Sequence, residues 1–238
     1  ETMVRLRLLR SGVRFGLPWP WDRFDGLHPG LQAGEMYYLY GRQKSKKTWI
    51  LLHMALFYAS LGKRVLLGNR EENNQTITWR LYCLAAGLDY GRYNRGKLTD
   101  DELRHFEEAG ERLKDERLIH VTAVEDGVSG FQAKVEEYEP DIALHDYFKA
   151  IADDGSKKHG ADHSEVAATV DGLKSYFLDQ AKIPCVLVGH ANREGEGSDG
   201  RSKREQAWSD HITRRGNSAL RVIKDDATNR VALVVNTS

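Results

Sequence analysis

The chain has 238 residues, 40% of them hydrophobic and 29% charged, with 22 Gly and only 5 Pro. That composition carries a packed core and excludes disordered, collagen-like and disulfide-stapled classes. Thirty-five basic side chains balance 35 acidic ones, so no bulk field draws the chain to nucleic acid or to an acidic membrane, and any polyanion contact has to be local.

In chain order, residues 1–29 come first. They mix Arg5, Arg7, Arg10 and Arg14 with apolar positions that keep no helical period, then turn rich in Pro and Trp at Leu17-Pro18-Trp19-Pro20-Trp21. We read them as a linker arm outside the core, followed by one domain over residues 30–238. A first residue other than Met and a final apolar run three residues short of the end lead us to expect a piece of a longer protein, cut at both ends. From Gly34 onward, short runs rich in β-branched and aromatic residues alternate with segments of helical period. This alternation predicts an α/β fold, a mostly parallel central sheet with helices on both faces. Strands are expected at 36–40, 65–68, 118–121, 142–145, 185–189 and 231–235. Helices are expected at 48–61, 76–86, 100–114 with Thr99 as cap, 130–139 and 164–181. In the last, Val166, Val170, Leu173 and Phe177 share one face. Two long polar stretches, 153–163 and 193–215, break the pattern, and loops of that length are functional or disordered. Cys83 and Cys185 lie in apolar runs without metal-ligand neighbours, which suits buried, reduced thiols in a cytoplasmic chain; no zinc site, membrane span or cleavable leader is expected.

The first predicted strand runs into Gly41-Arg42-Gln43-Lys44-Ser45-Lys46-Lys47-Thr48, and a helix follows. This is the context of the Gly-x4-Gly-Lys-Ser/Thr phosphate loop. There, backbone N–H groups and a helix N-terminus surround a phosphate, the lysine reaches the outer phosphates, and the hydroxyl holds magnesium. Lys46 departs from the pattern: glycine is usual there, because a β-carbon crowds the phosphate or strains the turn. The bland alternative is a basic surface turn with solvated cations. Asp146 ends another predicted strand, placed either to hold magnesium through water or merely to cap a turn. Glu71 and Glu72 follow the second strand, and either is placed to activate water at the carboxyl edge of the sheet, where ligands of open α/β folds bind; otherwise they are a solvated helix entry. His190 follows the fifth predicted strand on the same edge, as a hydrogen-bond donor to a γ-phosphate or as a structural histidine.

In this order and spacing the residues resemble the motor domain of DnaB-type hexameric replicative helicases, including their phage and Twinkle-like relatives. The resemblance starts near Asp25-Gly26 and Gly30-Leu31-Gln32-Ala33-Gly34-Glu35, and continues through Val65-Leu66-Leu67-Gly68-Asn69-Arg70-Glu71-Glu72 with Arg80. It extends over Asp146-Tyr147-Phe148, Asp171-Gly172-Leu173-Lys174, the run from Ile183 to Arg193, and Thr213-Arg214-Arg215-Gly216-Asn217-Ser218-Ala219-Leu220-Arg221. His190 follows the phage and Twinkle-like pattern, where bacterial members carry Gln. The resemblance implies a RecA-like fold and ATP hydrolysis, with Mg2+, coupled to movement along single-stranded DNA during replication. It implies nucleotide contacts from Gly41, Lys44, Ser45, Lys46, Lys47, Thr48 and Arg80, and magnesium contacts from Thr48 and Asp146. Catalytic roles fall to Glu71, which activates water, and to His190, which senses the γ-phosphate. DNA contacts are implied for Arg193, Arg201, Lys203, Arg204, Arg214 and Arg215, although the acids interleaved with them leave a plain solvated loop as the alternative. A hexameric ring, a primase or helicase-loader partner, no membrane and a cytoplasmic location complete the expectation. In this family the arginine finger lies on a hairpin after the final strand, which would fall beyond Ser238. Two rival readings stand beside it: another RecA-like ring ATPase, such as a recombinase or regulatory protein, and a nucleotide-binding assembly module with little turnover, suggested by Lys46.

Overall fold

The computed structural model describes residues 15–25, 30–124, 127–146, 163–190, 218–225, 227–228 and 230–236. The elements run α1 (Asp22–Asp25), β1 (Met36–Gly41), α2 (Lys47–Ser60), β2 (Val65–Asn69), α3 (Asn74–Ala85), α4 (Tyr90–Asn94), α5 (Asp100–Glu116), β3 (Ile119–Ala123), α6 (Gly127–Tyr138) and β4 (Ile142–Asp146). They continue with α7 (His163–Ser175), a π-helical turn (Tyr176–Ala181), β5 (Cys185–His190), β6 (Ser218–Asp225) and β7 (Arg230–Asn236). The strands form one sheet in the order β3-β2-β4-β5-β1-β6-β7. All neighbouring pairs are parallel except β6 with β7.

Every residue of β1, β2 and β4 is buried, as a strand covered on both faces requires. Alternation along β1 divides the core into two layers. Tyr37 and Leu39 pack with Leu51, Leu52 and Tyr58 of α2 and Leu81 of α3. Met36, Tyr38 and Tyr40 face the other way, toward Phe131 of α6 and the Leu173–Phe177 face of α7 and its π turn. Val170, Leu173 and Phe177 are buried together as their spacing predicts; the side chain of Val166 lies outside the described residues.

The six expected strands and five expected helices are present, and four features differ from the sequence reading. Trp19, in the presumed linker arm, is 3% exposed and joins the α2 layer of the core; it stacks edge-on against Phe24 and Tyr37 at 4.8 and 5.5 Å. Residues 1–29 are therefore not wholly outside the core, since an indole of that size is held by burial rather than by local chain preference. A further strand, β6, lies between β1 and β7. Its segment alternates Leu220 and Val222, both buried, with half-exposed Arg221, a short pattern beside a polar loop. α3 begins two residues before 76, because the Asn73 side chain accepts the Thr76 N–H at 2.8 Å. The short helix α4, capped by Asp89, has no apolar period to announce it. Thr99 caps α5 as expected, with Glu102 completing a reciprocal capping box.

Register places four strand ends side by side. Gly41 of β1 sits opposite His190 of β5, and Asn69 of β2 sits opposite Asp146 of β4. Among the described residues no helix is long and apolar enough to cross a membrane, and both cysteines are free and buried.

Candidate functional site

The loop between β1 and α2 joins the end of a buried strand to the start of a helix. Lys44 and Lys46 both adopt left-handed conformations, with φ of 60° and 72°. Lys46 thus keeps the turn that glycine adopts freely, at a cost of about 1–2 kcal/mol for a residue with a β-carbon. Gly41 is required for a different reason. A β-carbon there would meet the Val222 carbonyl oxygen at 2.6 Å and Ser45 Oγ at 2.9 Å, so the loop seats against β6 only without a side chain.

Lys47 opens α2 and is buried, and its Nζ donates to the carbonyls of Gly41 at 3.0 Å and Arg42 at 2.8 Å. Burial lowers its pKa to about 8, against the opposing pull of Asp146 and Glu71. Thr48 Oγ1 donates to Asp146 Oδ2 at 2.5 Å. Asp146 is itself buried, and desolvation raises its pKa while the Thr48 hydroxyl and the Lys47 charge hold it down. Ser45 Oγ is buried within the loop and has no hydrogen-bond partner among the described residues. Arg42, Gln43, Lys44 and Lys46 are exposed around it.

Glu71 lies on the turn after β2. Burial first, and then the Asp146 charge, raise its pKa, the direction that makes a carboxylate a better proton acceptor near neutrality. Its turn is tied down on both sides. The Arg70 N–H donates to the Asp146 carbonyl at 3.0 Å, and Asn69 accepts the Glu72 N–H at 3.1 Å while its own amide donates to the Glu72 carbonyl. Arg80 does not stand free beside the loop: its two terminal nitrogens pair with the two Glu72 carboxylate oxygens, each at 2.8 Å.

The structure thus brings Gly41, Lys44, Ser45, Lys46, Lys47, Thr48, Glu71 and Asp146 to one carboxyl edge of the sheet. His190 ends β5 on that edge, opposite Gly41, although its side chain lies outside the described residues. So do Arg193, Arg201, Lys203, Arg204, Arg214 and Arg215. The sequence reading missed Asn69 as an anchor and the Glu72 to Arg80 pair. Glu72 precedes the helix that carries Arg80, so no helical spacing linked them.

The donor set can be tested against the implied nucleotide and magnesium. Thr48 and Asp146 present hard oxygen ligands of the kind magnesium takes. The orphaned Ser45 hydroxyl and the start of a 14-residue helix are polar groups suited to an anion. The residues fit.

A search of curated proteins by sequence finds no match. Among solved structures, one described as an "ATPase Domain" superposes with a TM-score of 0.83 at 13% identity, covering 98% of this chain and 88% of that one. A second, "The Structure Of A DnaB-Like Replicative Helicase And Its Interactions With Primase", gives 0.81 at 13% identity, with 98% of this chain but 62% of that chain covered. At such identities the likeness shows the fold, which is RecA-like. The family profile described as "DnaB-like helicase C terminal domain" matches residues 16–211, most of the chain. This chain therefore belongs to the DnaB-like helicase C-terminal domain family.

Proposed function

We propose that this chain is the ATP-hydrolysing motor of a replicative DNA helicase, converting nucleotide turnover into movement along single-stranded DNA. The observation that carries the reading is the hydrogen bond between Thr48 and Asp146, which joins the phosphate-loop hydroxyl to the acidic end of β4. Magnesium, held by Thr48 and Asp146, would neutralise charge on the phosphate oxygens. Lys47 exchanges the carbonyls of Gly41 and Arg42 for phosphate oxygens, an anion partner in place of two dipoles in a partly desolvated site. The start of α2 would supply backbone N–H donors to the phosphate tail. Glu71 accepts the proton of the attacking water, and its raised pKa suits that task. His190, level with Gly41 at the end of β5, senses the γ-phosphate, and its presence there supports a phage or Twinkle-like member.

Arg193, Arg201, Lys203, Arg204, Arg214 and Arg215 hold the DNA backbone in a hexameric ring of such domains, with phosphate tracking rather than base readout. A primase or loader is the expected partner, and the cytoplasm the expected site of action. Lys46 favours one second reading, a nucleotide-binding assembly module with little turnover.

Hydrolysis of Mg·ATP is measured with and without single-stranded DNA, taking Lys47→Ala as the blank. Turnover above the blank and stimulated by DNA supports the motor. Binding without turnover supports the module, and absence of nucleotide binding by calorimetry overturns both. Strand displacement on a forked substrate by the ring-forming protein separates a helicase from other RecA-like ring ATPases.

A further inference from the structure

The turn that carries Glu71 is fixed by groups the phosphate loop does not use. Arg80 and Glu72 meet as a two-pronged pair, both contacts at 2.8 Å, the geometry in which a guanidinium gives both strength and direction. Their side chains are only 19% and 31% exposed, so the pair is partly shielded from water. The Arg80 guanidinium also lies over two aromatic rings, 5.6 Å from the Trp49 centroid and 5.1 Å from that of Tyr90. Those rings meet edge-on at 5.7 Å. Trp49 follows Thr48 directly, so the aromatic contact ties this assembly to the first turn of α2. At the other end, the side chain of Asn69, 1% exposed, holds the Glu72 N–H and carbonyl together.

We infer that Glu72 and Arg80 are positioning residues that clamp the turn after β2 and hold Glu71 at a fixed place against the phosphate loop. The inference rests on the ATPase reading above and deepens it. Both terminal nitrogens of Arg80 are directed at Glu72 and its faces are covered by two rings, while its buried Nε has no hydrogen-bond partner among the described residues. Glu71 lies between Arg70, anchored to β4, and Glu72, anchored to Asn69 and Arg80. Loss of the clamp frees one side of that turn. Catalysis depends steeply on such placement, and a displacement near 1 Å can cost about 10²-fold in rate.

The test is a cycle of Glu72→Gln, Arg80→Gln and the double variant, followed by ATP turnover, Mg·ADP affinity and amide exchange. Arg80→Lys joins the set because it keeps the charge and loses the fork. Each single variant lowers kcat about 10²-fold, while the Kd for Mg·ADP stays within about threefold. The double variant costs no more than either single, since the two side chains act as one unit. Exchange at residues 70–73 quickens while α2 and β4 keep their protection. Turnover within about threefold of the parent, a fall in Mg·ADP affinity parallel to kcat, or additive losses would each overturn the clamp. If the parent turns over no faster than Lys47→Ala, the ATPase reading fails separately. The clamp is then judged by exchange, and unchanged protection at residues 70–73 overturns it.

Discussion

Thr48 and Asp146 stand 98 residues apart in sequence and share a 2.5 Å hydrogen bond where the phosphate loop meets the end of β4. The carboxylate is buried, so ionisation there is opposed by desolvation and supported by Thr48 and Lys47. Asp146→Asn keeps the shape of the side chain and removes the charge. Turnover of Mg·ATP is expected to fall by at least about 10²-fold. The melting temperature without nucleotide should hold within about 3 °C, because losing a desolvated charge offsets losing its partner interactions. Steady-state ATPase assays with scanning calorimetry check both halves.

Lys46 holds φ at 72°, a left-handed conformation that costs a non-glycine residue about 1–2 kcal/mol. Glycine removes that strain but brings an unfolded-state cost of about 0.5–1 kcal/mol. Lys46→Gly is therefore expected to stabilise the protein by about 0.5–1 kcal/mol, raising the melting temperature by about 1–4 °C. Lys46→Ala retains a β-carbon and should show no comparable gain. Thermal unfolding of the three proteins side by side decides whether backbone strain is the cause.

Trp19 is 3% exposed and packs edge-on against Phe24 and Tyr37. Replacing it with alanine leaves a cavity that its neighbours only partly fill, so Trp19→Ala should lose about 3–5 kcal/mol. Urea unfolding measures the loss. A value under about 1 kcal/mol would return this stretch to the role of a surface arm.

His145 is fully buried, and neither ring nitrogen has a hydrogen-bond partner among the described residues; it packs edge-on against Phe131 at 4.9 Å. Burial, and secondarily the Arg70 charge, lower its pKa to about 3. The unfolded chain therefore binds a proton near pH 6.5 that the folded protein refuses until about pH 3. Stability falls as pH drops through that window and is independent of this group above it. His145→Leu should stabilise at neutral pH by about 1–3 kcal/mol, the desolvation cost of unpartnered polar atoms. It should also flatten the loss of stability between pH 6.5 and pH 3. Denaturation midpoints at a series of pH values test the magnitude and the slope together.

Much of the fold was legible because its signals are local. The runs that became β1, β2, β4 and β5 are nearly all apolar, and Thr99 with Glu102 marks the start of α5 within four residues. β6 was missed because Arg221 and Lys224 interrupt it and the polar residues before it resemble a loop. Trp19 was misplaced because proline on either side reads as a linker, whereas its burial depends on the surface that Tyr37 and α2 offer. In the site, the spacing from Gly41 to Thr48 and the strand-end positions of Asp146 and Glu71 singled out residues that the fold brings to one edge of the sheet. Arg80 was expected at the nucleotide, and its pairing with Glu72 was not legible, since Glu72 lies on a turn and Arg80 on the following helix.

Local residue chemistry was enough to define most of the elements and the turn between β1 and α2, because strand burial, helix capping and loop geometry are set by residues within one or two turns of each other. Only the folded arrangement established that Thr48 meets Asp146, that Arg80 closes on Glu72 between Trp49 and Tyr90, and that Trp19 belongs to the core. Those contacts depend on the order and register in which distant strands pair, and register is fixed only when whole faces are buried together.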